Sequence, residues 1–142
     1  MPLSIRGAEV SRSVGIHTFV NGEPGQADLD VMREVLAPYD AAPENTTAST
    51  RDFLIRAADG GEAEVFVDDA VIAVERPQAG EVLGIIAKLA DRLRGVIEPG
   101  NGTLLCREDS RAHLPEGLED SCVFTPTITR EALEAAMARS MR

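Results

Sequence analysis

Hydrophobic and polar positions change period several times along the chain, and each change marks an element. Leu3-Ser4-Ile5 and the run from Val14 to Val20 alternate with period two. That alternation predicts two strands, with Ser11-Arg12-Ser13 as the bend between them. In the second run Val14, Ile16, Thr18 and Val20 fall on one face, and Gly15, His17 and Phe19 on the other. Asn21-Gly22-Glu23-Pro24-Gly25 then breaks the pattern. Leu29, Met32, Val35 and Leu36 recur at helical spacing behind Asp28 and Asp30, acids suited to the positive end of a helix dipole. Pro38 should end this helix, because the residue before a proline avoids helical angles. Asp40 to Thr50 reads as a polar connection.

Phe53 to Ala58 predicts a strand, and Asp59-Gly60-Gly61 a tight hairpin. The return strand starts near Glu62 and carries Val65, Phe66 and Val67, until Asp68-Asp69 interrupts it ahead of Val71-Ile72-Ala73-Val74. A second hairpin turn and a bend within one long strand both fit; Asp-Asp lacks the glycine that tight turns favour, so the bend is preferred. On a regular strand Glu62, Glu64 and Asp68 share one face, with Asp69 and Glu75 on the other. Pro77 can open a helix without losing a hydrogen bond. Val82, Ile85, Ile86, Leu89, Leu93, Val96 and Ile97 predict a continuous helix over 78–97, stopped by Glu98-Pro99-Gly100-Asn101-Gly102. Thr103 to Arg107 reads as a strand, Glu108 to Ser121 as a polar loop and Val123-Phe124 as a short edge strand. Thr129 is the N-cap of a last helix over 130–140.

This order predicts an α+β domain over residues 1–142. Its core is a single, mainly antiparallel sheet with two main helices on one face, in a split βαβ (ferredoxin-like) arrangement. An extra N-terminal strand and a C-terminal helix are additions to that core.

Composition narrows the partners. A chain of 142 residues buries about two-thirds of its unfolded surface and needs no metal or disulfide to fold. A net charge of −10 repels phosphate backbones, and no basic segment offers a contact to nucleic acid or anionic lipid. Residues 1–20 lack the basic start, apolar centre and cleavage site of a secretory leader, no apolar run reaches about 18 residues, and the two cysteines, Cys106 and Cys122, imply no disulfide framework. A soluble protein of the reducing cytoplasm is the expectation.

No motif identifies a reaction. The chain has no G-x-S-x-G, Walker, H-E-x-x-H or C-x-x-C pattern, and Gly100-Asn101-Gly102 follows a helix, the reverse of a phosphate-cradling order. No catalytic residue, cofactor or metal is assigned. The acids concentrate instead: Asp59, Glu62, Glu64, Asp68, Asp69, Glu75 and Glu81 stand against Arg76 alone. They lack the spacing of a calcium loop, so a solvated sheet face or a docking surface explains them. A second cluster, Glu108, Asp109, Glu116, Glu119 and Asp120, flanks His113, read as a solvated loop histidine. Cys106 is read as an inert core thiol, and His17 lies on a strand beside Phe19.

The function expected on these grounds is a non-enzymatic, acidic protein-interaction module of regulatory or inhibitor (immunity) type. It would bind a basic partner through Glu62, Glu64, Asp68, Asp69 and Glu75. The alternative is a small-ligand or catalytic site between sheet and helices, using His17, Cys106 or His113. A homodimer pairing sheet faces or edges is a third reading.

Overall fold

A computed structural model describes residues 13–45, 51–68, 70–75, 77, 80–100 and 102–139. The strands are β1 (Val14–His17), β2 (Phe19–Val20), β3 (Glu23–Pro24), β4 (Asp52–Arg56), β5 (Glu62–Asp68), β6 (Val71–Glu75), β7 (Val96–Glu98), β8 (Leu104–Arg107) and β9 (Cys122–Thr125). The helices are α1 (Leu29–Leu36), α2 (Glu81–Leu93) and α3 (Arg130–Arg139). Seven strands form one sheet in the order β4-β5-β6-β1-β7-β8-β9, while β2 and β3 make a separate ribbon. Every neighbouring pair in the large sheet is antiparallel except β8 and β9. The fold is thus α+β with a mostly antiparallel sheet.

Strand alternation decides the layers. Phe53, Ile55, Val65, Val67, Ile72, Val74, Val14 and Ile16 point to one side and are buried there with Met32 and Leu36 of α1, Val82, Ile86 and Leu89 of α2, and Leu133 of α3. Burying each such side chain stabilises the fold by roughly 1.5–3 kcal/mol. Asp28 caps α1, its carboxylate accepting from the Asp30 and Val31 amides, and Thr129 Oγ1 accepts from Ala132 N in the first turn of α3. On the opposite side, two 3-10 segments, Glu108–His113 and Leu118–Ser121, cover the β7–β9 end. Beneath them Val96, Cys106 and Leu114 form a second, smaller core. Among the described residues no element covers this opposite side over β4, β5 and β6, where Leu54, Phe66 and Ala73 are half-buried and Val71 is exposed.

Several expectations are corrected. Asp68 and Val71 are register partners, so the chain reverses between them as a hairpin and does not continue as one bent strand. Glu75 therefore lies opposite Glu64 on the same face rather than on the other side. The expected helix over 78–97 is shorter: α2 spans Glu81–Leu93, and Val96 and Ile97 belong to β7. Arg94 takes the left-handed conformation (φ 55°), and Arg94 N and Gly95 N donate to the Asp91 and Ala90 carbonyls, closing the helix. Glu108 to Ser121 is a covering layer instead of a plain loop. The strand expected at Leu3–Ile5 lies outside the described residues.

The topology also differs from a ferredoxin-like plait. β6 and β7 both run antiparallel to β1, which lies between them, so α2 crosses over between parallel strands around a third. The other helical connection, from β1 through α1 to β4, joins strands that run antiparallel. Two interleaved crossovers would make the plait; among the described residues there is one.

The sharp return after α2 depends on one small residue. A Cβ on Gly95 would sit 2.6 Å from Ile16 Cγ2 and 3.2 Å from the His17 carbonyl oxygen. Ile16 is fully buried and cannot give way. Gly95→Ala should accordingly lower the unfolding free energy by about 1–3 kcal/mol in urea denaturation; an unchanged midpoint would show that β1 and the α2–β7 turn are further apart than described.

Candidate functional site

Ladder register sets out the open face in rows that cross the strands. One row reads Asp52, Phe66, Ala73, Gly15, Glu98 across β4, β5, β6, β1 and β7. On one side runs the row Leu54, Glu64, Glu75, and on the other Asp68, Val71, His17. Acids thus flank a band of half-buried apolar groups. Glu64 and Glu75 face each other directly, a like-charge pairing that disfavours the sheet by a few tenths of a kcal/mol. Arg56 is the one Lys or Arg these described strands contribute, and its guanidinium is paired with Glu62 at 2.7 Å. Four of the acids expected at a docking surface, Glu62, Glu64, Asp68 and Glu75, are thereby brought onto one face. Asp69 lies outside the described residues.

Not every acid of the Asp59–Glu81 segment belongs to this surface. Asp59 accepts from Gly61 N through Oδ1 (3.0 Å) and from Glu81 N through Oδ2 (3.1 Å). It ties the β4–β5 hairpin to the first turn of α2, whose own N-cap position, Gly80, has no side chain to offer. The Glu81 and Gly61 amides hold the Asp59 carboxyl below its ordinary range.

At the far end of the central row, His17 Nε2–H donates to Glu98 Oε1 at 3.2 Å. Glycine at position 15 gives the ring room: a Cβ there would lie 3.2 Å from His17 Nε2. The imidazole therefore leans over Gly15 towards Glu98, nearly parallel to the Phe19 ring at a centroid separation of 6.4 Å. Both residues border a cleft of about 320 Å³ whose walls also include Val96, Gly102, Leu104, Leu118 and Ser121. The cleft lies between the sheet and the 3-10 layer, on the side away from the helices.

The other candidate residues are placed apart from it. Cys106 is fully buried, and desolvation is the main cause that pushes its thiol up to about 12. Cys122, on the neighbouring strand, is also raised by burial, and its Sγ–H donates to the Leu118 carbonyl at 3.4 Å. Both are free thiols. His113 Nδ1 accepts from the Asn21 amide, and its carbonyl from Gly22 N, so it pins the β2–β3 turn to the 3-10 layer. In the second acid cluster, Arg107 clamps Asp109 through two nitrogens (3.0 and 2.7 Å) and holds its carboxyl low. Arg111 lies 3.7 Å from Glu119 and over the Phe124 ring. These contacts fasten the covering layer to the sheet.

Sequence reasoning missed Glu98, Asp52 and Gly15 as members of the face. In sequence Glu98 reads as part of a helix stop, and only the strand register reveals its place beside His17. Among the described residues no group of three or more His, Cys, Asp or Glu side chains could hold a metal ion, and no helix is long and apolar enough to cross a membrane. No protein-family model, curated protein or solved structure matches the chain.

Two outcomes follow from this geometry. Asp59→Asn should lower the thermal midpoint at neutral pH, because the folded carboxylate is favoured over the unfolded one. With the folded value depressed, that advantage is full above the unfolded carboxylate range and vanishes as pH falls through the lower, folded value. Melting curves of both proteins should converge at acid pH; a constant gap would remove the charged cap. For Cys106, labelling by Ellman's reagent at neutral pH should be about a hundredfold slower or more in the folded protein than in urea. Equal rates would show an accessible thiolate.

Proposed function

We propose that this chain is a non-enzymatic protein-interaction module, of regulatory or inhibitor (immunity) type, that binds a basic partner. One observation supports the reading: Glu62, Glu64, Asp68 and Glu75 edge an open sheet face whose middle is Phe66 and Ala73, with Val71 exposed beside Asp68. An apolar centre within a charged rim is the anatomy of a transient protein interface. The acids would steer a cationic surface into place and set its orientation, and the apolar centre would supply the contact that lasts. Asp69, beside Asp68 in sequence, is included in the proposed contact. The free thiols support a reducing compartment such as the cytoplasm.

A ten-residue peptide alternating lysine and leucine, with its glutamate–leucine counterpart as control, probes this face. The cationic peptide should shift backbone amides of β5 and β6. Its association rate should fall at least tenfold between about 0.05 and 0.5 M salt. The double variant Glu64→Lys, Asp68→Lys should weaken it by a similar factor. Equal binding of both peptides, or shifts confined to the 108–120 layer, would contradict the reading.

A further inference from the structure

The geometry points to a lysine side chain of the partner as the occupant of the cleft beside Glu98, an inference that rests on the reading of the open face just given. The apolar row leads there. From Phe66 through Ala73 and the imidazole lying over Gly15, it reaches Glu98 after three strand spacings, about 14 Å. A segment laid across the strands on this row brings its end to the cleft.

The cleft's chemistry selects what enters. Phe19, Val96, Leu104 and Leu118 give it apolar walls, and Glu98 is the one carboxylate among the described residues that line it. A four-carbon stem suits such walls while its charged head reaches the carboxylate. The parallel faces of His17 and Phe19 add π surface for a cation. Glu98 Oε1 already accepts from His17, which leaves Oε2 for an incoming donor. A guanidinium fork uses both carboxylate oxygens, whereas an ammonium needs a single point of contact. Lysine is satisfied at Oε2 alone, where an arginine fork would have to share Oε1 with His17.

The full-length protein can be titrated by amide NMR with n-butylammonium chloride at constant ionic strength, against butan-1-ol and sodium butyrate. Saturable shifts are expected at Gly15, His17, Gly102 and Leu118 with the ammonium alone. Glu98→Gln should weaken them at least tenfold. Leu118→Ala should weaken butylammonium more than methylammonium, since it shortens the wall along the stem. Equal binding of butan-1-ol, or an ammonium response unchanged in Glu98→Gln, would overturn the inference. So would concentration-dependent shifts at the same amides without any added probe, which would assign the cleft to a second copy of the chain. If the lysine–leucine peptide binds while butylammonium does not, the cleft assignment fails and the module reading stands. If butylammonium binds while the peptide does not, the module reading fails and the cleft remains a site for alkylammonium groups.

Discussion

The packing of α2 across β1 and β6 is the interaction on which the rest depends. Val82, Ile86 and Leu89 share one buried cluster with Val14, Ile16, Ile72 and Val74. Once these alternate residues are committed to the helical side, the period of two commits their neighbours to the opposite side. Gly15, His17, Val71, Ala73 and Glu75 have no other place to go. The negative face is thus a consequence of how the core is filled. A slip of one residue in the β5–β6 register would exchange the two faces and drive Glu64 and Asp68 into the core, where an unpaired charge is far too costly to persist.

The same constraint explains the glycines that matter. β1 runs through the middle of the sheet and is approached from both sides. Gly95 lets the α2–β7 turn close onto Ile16 and His17, and Gly15 gives the His17 ring room to reach Glu98. One glycine serves packing and the other the site, yet both answer to the position of a single strand. The covering layer at the β7–β9 end completes the picture. Arg107, Arg111 and His113 hold it by ionic, ring and backbone contacts, so the cleft acquires a wall on that side while β4–β6 stay open.

Much of this was legible in the chain. The stripe of α2, the Asp59-Gly60-Gly61 hairpin, the acids at the start of α1, the Thr129 cap and the burial of Cys106 all follow from local patterns of spacing and residue type. What escaped is what depends on partners distant in sequence. Val96 and Ile97 continue the helical spacing of α2, and only the left-handed Arg94 with the tight approach of Gly95 turns them into a strand. Asp68-Asp69 carries no glycine, so its sequence favoured a bend over the hairpin found. Glu98 and His17 are 81 residues apart and meet because β1 separates β6 from β7, which no local signal announces.

Over β4–β6 the side of the sheet away from the helices is both open and negative in potential. Paramagnetic relaxation of side-chain methyl and ring protons by a cationic and an anionic nitroxide of equal size reads both properties at once. Val71, Ala73 and Phe66 should relax strongly with the cationic probe and several-fold less with the anionic one, while Met32, Ile72 and Val82 respond to neither. Protection of Val71 and Phe66 from both probes, or equal relaxation by the two, would contradict it.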